Sequence, residues 1–538
     1  MENITGPWDG RCKGLILPIF PWEYEWDSNF RAFLYLVGML WCFIGISVLS
    51  DSFMSGIDTI TNSTYRKRVA RRTPEGEVVF DEQDIPIWNP AVANLTLMAL
   101  GSSTPEILLA LIELLGRDFF SGDLGPGTVL GSASFNLYII TGLCMLVIPE
   151  NEIRKVKGVS VFLLTSFHSL FAYIWLYIVL VVNTKDVIDL WEAVVTLALM
   201  PFLVALVYLA DRHASSSQVL PESEDGGANH DPSQLEHDGK QDDAGSAMEV
   251  TPQEEEGIEA EGPRLREFNK SRAIEAITHA KQSRYASSPP WSPGRSSSPS
   301  NSTRSTRDWS QQFVQALNVN GGDESYDPGL LECVMHFLSI GWKLLAACIP
   351  PGRIWGGWAC FWVALSMIGL VTALVGDMAT VFGCLVGLHD AITAITIVAL
   401  GTSLPDTFAS MIAIRMDSTA DNALGNVTGS NSVNVFLGLG LPWWHSLYGS
   451  TWDLYEQYST SGAFVVQSGA LGFNVLIFSI LTAAAFVIIA IRRLTLGTEL
   501  GGPRWLSRLC ASVFFSLWVI YIVVCSLQVY HPNDFINL

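Results

Sequence analysis

Ten stretches of this chain are apolar for long enough to cross a lipid bilayer, and that property restricts the fold more than any other. A helical span needs about 18–20 predominantly apolar residues. The runs fall roughly at 30–50, 92–115, 127–148, 159–182 and 187–210, then at 355–376, 389–413, 424–443, 467–491 and 508–529. Only 15% of the 538 residues are charged, against about 25% in an ordinary soluble domain. A soluble protein would need a core larger than one domain provides to bury so many runs. The sequence therefore reads as an all-α polytopic membrane protein whose first partner is the lipid bilayer.

Between the fifth and sixth runs hydrophobicity collapses. The formal charge of −21 arises mostly there: residues 221–262 hold fourteen Asp and Glu against one base, Lys240. The acidity thus describes a loop and gives no hint of nucleic-acid binding. It is followed by a basic, Ser/Pro-rich part containing Arg264, Arg266, Lys270, Arg272, Lys281, Arg284, Arg295, Arg304 and Arg307. Such composition favours a largely disordered, solvated linker. The resulting layout is an N-terminus over 1–29, a first five-span half over 30–210 and a loop over 211–334. An apolar helix over 335–353 lies at the interface, followed by a second five-span half over 354–530 and a tail over 531–538.

Basic residues set the orientation. Arg66, Lys67, Arg68, Arg71 and Arg72, then Arg154, Lys155 and Lys157, then Arg492, Arg493 and Arg504 fall on connections at one end of a ten-span weave. The opposite connections, 116–126, 183–186, 377–388 and 444–466, hold only Arg117 and Lys185. Both termini are then expected outside or in a lumen, with the long loop in the cytosol. Five spans per half is an odd number, so the halves are expected to be inverted repeats, a layout common among secondary transporters. Gly14–Phe20 lacks the flanks of a cleavable signal peptide. Nine cysteines without CxxC spacing support no zinc or redox motif.

Each half carries one phrase that is costly in a membrane. "ALGSSTPE" (99–106) ends in Glu106 and "ALGTSLPD" (399–406) ends in Asp406. On a helix, Ala99, Ser102, Ser103 and Glu106 share a face, as do Ala399, Thr402, Ser403 and Asp406. Pro105 and Pro405 cannot donate to the carbonyls of Gly101 and Gly401, so each helix must bend and leave backbone oxygens free. A second phrase follows each acid: "GSASFN" (131–136) offers Ser132 and Asn136, and "GSNSVN" (429–434) offers Ser430 and Asn434. Gly131 and Gly429 permit close helix approach. A charged carboxylate at mid-membrane costs several kcal/mol, and a bound cation relieves that penalty. The donors are all oxygen, which suits Na⁺ or Ca²⁺ and, less comfortably, Mg²⁺.

These phrases resemble the two α-repeats of the sodium/calcium exchanger family. The match runs through "NLTLMALGSSTPEILLALIELLGRDFFSGDLGPGTVLGSASFN" (94–136) and "IVALGTSLPDTFASMIAIRMDSTADNALGNVTGSNSVNVFLGLG" (397–440). It continues in "WCFIGISVLSDSFM" (41–54), "IPPGRIWGGWACF" (349–361) and "ELGGPR" (499–504), and covers nearly everything except residues 212–330. The resemblance implies that Glu106 and Asp406 coordinate Ca²⁺ in alternation with Na⁺. It implies Na⁺ sites at Ser103, Ser403 and the Ala99 and Ala399 carbonyls, with Ser102 and Thr402 completing the ring. Asn136 and Asn434 would line the centre, flanked by Ser132 and Ser430. It further implies alternating access, with the first and sixth spans sliding against the rest, and a Cys12–Cys384 disulfide through "FGCLVGL" (382–388). The chain would be a transporter rather than an enzyme, need no cofactor and work as a monomer. A sequon at Asn3 is expected to be glycosylated, whereas those at Asn94 and Asn426 are intramembrane and expected to be silent. The loop is too short for the family's Ca²⁺-sensing β-sandwich domains, and "DRHASSSQVLPESED" (211–225) lacks its basic inhibitory stretch.

A related group, the plant-type magnesium/proton exchangers, is similar in length and also has a short acidic loop. It leaves proton-coupled transport of Mg²⁺ or Ca²⁺, in a vacuolar or other internal membrane, as the alternative to Na⁺/Ca²⁺ exchange at the plasma membrane. An intramembrane aspartyl protease also needs two membrane acids, but one acid here is Glu and no GxGD occurs. His168 in the fourth span reads as a hydrogen-bonded bundle histidine rather than a proton relay.

Overall fold

The structure, a computed structural model, describes residues 12–72, 78–116, 121–150, 152–183, 187–217, 305–319, 329–449, 464–466 and 468–531. The Asn3 sequon, nearly all of the acidic and Ser/Pro-rich loop, and the tail beyond residue 531 lie outside the described residues.

Apolar composition dictates helices almost throughout, because a chain in lipid must satisfy its backbone polar groups within each segment. The first half contains α1 (Ser28–Thr61), α2 (Leu95–Ser102), α3 (Thr104–Gly116), α4 (Leu124–Val147), α5 (Val159–Asn183) and α6 (Leu190–His213). Two connecting helices follow, α7 (Ser305–Leu317) and α8 (Leu330–Ala347). The second half contains α9 (Trp358–Val386), α10 (Asp390–Thr402), α11 (Leu404–Met416), α12 (Asp421–Phe436), α13 (Gly440–Gly449), α14 (Ser468–Leu496) and α15 (Arg504–Tyr530). Among the described residues eight helices are long and apolar enough to span alone, and ten if each bent pair, α2/α3 and α10/α11, counts as one span.

Several boundaries differ from the sequence expectation for identifiable reasons. The first span continues to Thr61 instead of stopping near residue 50. Asp51 and Asp58 look like a stop signal, yet Ile57 and Ile60 are buried and Gly56 lies against Cys360 of α9. The span expected at 424–443 is instead α12 and α13, broken around Gly438, where a Cβ would lie 2.2 Å from the Asn434 carbonyl oxygen. At 16 residues α12 is too short and too polar to be counted as a span, whereas α8 is counted among the eight. The connection after α1 holds a hairpin, β1 (Thr64–Arg72) and β2 (Val78–Pro86), in a register that sets Arg66 opposite Asp84 and Arg68 opposite Glu82. Within the stretch read as loop, α7 packs on α8, with Trp309 Nε1 donating to the Ala347 carbonyl at 2.9 Å. In turn α8 packs on α1, where the Trp41 and Trp342 ring centroids are 4.5 Å apart.

The interior divides into two separate cores. One joins α1 to α9 through Met39, Phe43, Ile46, Phe53, Ile57, Phe361, Ile368 and Val375. The other unites α4, α5, α12, α14 and α15 through Val129, Leu130, Tyr138, Tyr173, Phe436, Phe478, Phe514 and Tyr521.

The two halves are interlocked by a reciprocal contact. A Cβ on Gly131 of α4 would sit 2.6 Å from Ala399 Cβ and 2.7 Å from Ile395 Cα of α10. Its counterpart Gly429 of α12 faces Leu95 and Ala99 of α2. Small residues let helix backbones approach this closely.

The connections lock both ends. After α4, Ile153–Arg154 pairs antiparallel with Leu500–Gly501, between α14 and α15. Beside that pair the buried Glu499 accepts from the Val156 N–H at 2.9 Å and pairs with Arg493. Asp421 accepts from the Lys157 and Gly158 amides at 3.0 and 2.8 Å, drawing the start of α12 into the same clamp. At the other end the amides of Leu15, Ile16 and Leu17 all donate to the Asp377 carboxylate on α9. There Cys12 is joined to Cys384 in a disulfide, with 5.6 Å between Cα atoms. Alkylation under denaturing conditions is therefore expected to spare these two cysteines until a reductant is added. Peptide mass spectrometry showing either one labelled without reductant would contradict the bond.

Candidate functional site

Each motif helix breaks at the same place for the same reason. Pro105 and Pro405 remove an N–H from the ladder and crowd the carbonyl four residues back. The chain responds at the serine two residues upstream: Ser103 sits at φ −88°, ψ 0° and Ser403 at φ −84°, ψ 3°. The α2/α3 pair bends by 62° there and the α10/α11 pair by 43°. A π-helical turn precedes each break, at Asn94–Met98 and Ala394–Val398. Glu106 and Asp406 begin the helices after the breaks, and both are buried to within 1%.

The acids meet on one stripe of α4. Ser132 donates to Glu106 Oε1 at 2.6 Å, and one turn later Asn136 Nδ2 donates to Asp406 Oδ2 at 2.6 Å. Positions four apart on a helix rise by about 6 Å, so α4 presents its two donors, one for each acid, on successive turns. The network extends across both halves. Ser132 Oγ lies 2.6 Å from Ser403 Oγ and 3.4 Å from Thr402 Oγ1, and Asn136 Nδ2 also donates to Ser430 Oγ at 3.2 Å. Ser102 reaches Asn426 Oδ1 at 3.3 Å. Two hydrogen-bonded groups result, one of Glu106, Ser132, Thr402 and Ser403 and one of Asp406, Asn136, Ser430, Asn426 and Ser102, and they adjoin where Ser132 and Asn136 stand one turn apart on α4.

The remaining expected residues stand somewhat differently. The Ala99 carbonyl accepts from the Ser103 N–H and the Ser102 hydroxyl, and the Ala399 carbonyl from the Ser403 N–H and the Thr402 hydroxyl. Both oxygens are therefore engaged within their own helical turns. Ser103 Oγ, Glu106 Oε2, Asn136 Oδ1 and both polar atoms of Asn434 are buried with no hydrogen-bond partner. Leaving one such group unsatisfied costs about 1–3 kcal/mol, so four oxygens of this kind, one of them a carboxylate oxygen, suit a cation. Among the described residues no cluster of three or more His, Cys, Asp or Glu side chains has metal-holding geometry. The donor set is two carboxylates, hydroxyls and amide oxygens, which is hard-ion chemistry.

Two residues of the site escaped the sequence reading. Asn426, noted only as a silent sequon, donates to Asp406 Oδ1 at 3.3 Å, and Ser410 accepts from the same amide at 3.0 Å. The spacing Asn426, Ser430, Asn434 on one helical face was the available signal. His168 is not part of the site: its Nδ1 lies 2.9 Å from the Leu164 carbonyl oxygen and its ring packs among Phe167, Phe171 and Phe202.

Several known proteins are similar to this chain over most of its length. A magnesium/proton exchanger of Arabidopsis halleri subsp. halleri is 31% identical, the alignment covering 96% of this chain and 95% of that protein. Sodium/calcium exchanger 2 of Mus musculus is 25% identical over 97% of this chain and 94% of its own length. Among solved structures, the sodium-calcium exchanger NCX_Mj aligns at 15% identity over 91% of this chain and 98% of its own, with a TM-score of 0.38. The H⁺/Ca²⁺ exchanger CAX aligns at 11% identity over 97% of this chain and 94% of its own, also with a TM-score of 0.38. The sequence profile described as sodium/calcium exchanger protein matches residues 34–209 and 356–527, both halves of the bundle and both motifs. The chain is thus a multi-pass membrane protein that belongs to the sodium/calcium exchanger protein family.

Proposed function

We propose that the protein is a secondary active antiporter that exchanges Na⁺ for Ca²⁺ by alternating access. The observation that carries this reading is the pairing of Glu106 and Asp406 on one stripe of α4, amid unpartnered buried oxygens. Two carboxylates match the charge of one Ca²⁺, and Na⁺ ions taking the same oxygens compete with it. Competition for one set of ligands is what couples the two fluxes. The α1–α9 core also takes in Leu97, Leu109, Leu124, Ala394 and Val398 of the motif-bearing helices, and this apolar face supports a gate of α1 and α9 that slides along the ion-binding bundle. In this reading the chain works as a monomer in the plasma membrane. Its termini are extracytoplasmic, and its basic connections and central loop are cytosolic. The alignment with the mouse exchanger runs over 884 positions, far more than this chain's 538 residues. That excess supports a short-loop exchanger without the Ca²⁺-sensing domains.

The second reading, proton-coupled exchange of Mg²⁺ or Ca²⁺, is favoured by the 31% identity to a magnesium/proton exchanger. Mg²⁺ sheds its water reluctantly, so a ring of protein hydroxyls and carboxylates suits Ca²⁺ better. Reconstituted vesicles separate the readings. An outward Na⁺ gradient imposed across Na⁺-loaded vesicles is expected to drive Ca²⁺ uptake with no pH gradient present. Uptake indifferent to Na⁺ and driven by a pH gradient would overturn the Na⁺/Ca²⁺ assignment.

A further inference from the structure

The two carboxylates are held unequally, and the difference traces to one side chain. Glu106 has a partner for Oε1, Ser132, while its Oε2 has none. Asp406 is gripped at both oxygens: Asn136 donates to Oδ2 at 2.6 Å and Asn426 donates to Oδ1 at 3.3 Å. Asn426 is itself anchored, because its amide also donates to Ser410 Oγ at 3.0 Å, one turn beyond Asp406 on α11. Its Oδ1 accepts the Ser102 hydroxyl at 3.3 Å from the other half of the protein. The corresponding positions of the first half offer nothing equivalent. Thr128 occupies the place of Asn426 and its hydroxyl donates to the Leu124 carbonyl, while Ala110 occupies the place of Ser410.

From this asymmetry we infer that Asn426 is a positioning residue that fixes Asp406 and Ser102 for a large divalent cation and so sets the site's preference for Ca²⁺ over Mg²⁺. The inference rests on the exchange reading of the same site. A hydroxyl can present lone pairs to a cation only if its proton points elsewhere, and the single Ser102 proton is shared between Asn426 Oδ1 and the Ala99 carbonyl oxygen, both at 3.3 Å. A carboxylate held at both oxygens by anchored amides cannot readily move inward. Ca²⁺ accepts six to eight oxygens at about 2.3–2.6 Å, whereas Mg²⁺ demands an octahedron at about 2.0–2.1 Å. Rigidity at Asp406 therefore penalises the smaller ion. The less constrained Glu106 adapts to whichever ion arrives.

The test is Ca²⁺ uptake by the full chain in vesicles, with Mg²⁺ as competitor, for the parent, Asn426→Ala and Ser410→Ala. Partners of metal ligands typically contribute about 10–100-fold in affinity. Asn426→Ala is expected to raise the KM for Ca²⁺ by about tenfold or more while kcat changes less. The ratio of the Mg²⁺ inhibition constant to that KM is expected to fall. Ser410→Ala is expected to shift both quantities in the same direction by less, and it decides the matter if Asn426→Ala fails to reach the membrane. An unchanged KM, a loss confined to kcat, or an equal rise in KM and in the Mg²⁺ inhibition constant would overturn the role given to Asn426. A parent protein without Ca²⁺ flux would instead overturn the exchange reading, and this inference with it.

Discussion

Glu106→Gln and Asp406→Asn are each expected to lower Ca²⁺ exchange by about 100-fold or more, while the protein still inserts. Affinity for a hard divalent cation follows the charge of its ligands and the rigidity of the site. Either substitution leaves one carboxylate to balance two positive charges. Side-chain volume is conserved, so helix packing is undisturbed. Gln at 106 retains an oxygen for the Ser132 hydroxyl, and Asn at 406 retains one for the Asn136 amide, though its NH2 then faces the Asn426 amide and that bond is lost. Initial-rate flux in vesicles, normalised to the amount of inserted protein, gives the result. Near-parental flux in either variant would remove that acid from the site.

The second large effect lies far from the ions. Glu499→Ala is expected to destabilise the folded protein by about 3 kcal/mol, the lower part of the range for breaking a buried ion pair. Glu499 is fully buried, while Arg493 is 30% exposed and therefore partly relieved by solvent. The loss also strands the Val156 N–H. Glu499→Gln keeps an acceptor for that amide and is expected to cost less. Melting in detergent checks both, and an unaltered Tm for Glu499→Ala would show that the clamp does not stabilise the bundle. Protein that does fold is expected to bind ions normally, because the Glu499 carboxylate is engaged by Val156 and Arg493 at the connection between α14 and α15.

What could be read from the sequence was whatever broke a local rule. Glu106 and Asp406 stood out because carboxylates rarely occur in apolar runs, and Pro105 and Pro405 announced the breaks because they lack an N–H. Ser132, Asn136, Ser430 and Asn434 followed from matching spacing. Asn426 and Ser410 did not, since neither has a counterpart in the first half: comparison of repeats finds what is shared, and Thr128 and Ala110 share nothing with them. The length of α1 was hidden by Asp51 and Asp58, because only contact with α9 makes that extension worth continuing. The division of the eighth span at Gly438 was masked by the apolar residues on either side. The β1–β2 hairpin was hidden in a stretch whose charge drew attention to sidedness rather than to strand pairing.

The reciprocal seating of Gly131 on α10 and Gly429 on α2 has a consequence for how such a protein could be divided. Neither half contains a finished pocket, because each holds one of the two acids, and Asp406 of the second half is gripped by Asn136 of the first. A fragment ending before the central loop would keep Glu106 and its partner Ser132 but only one of the two carboxylates. Two fragments synthesised separately would regain transport only by inserting in opposite senses and docking face to face.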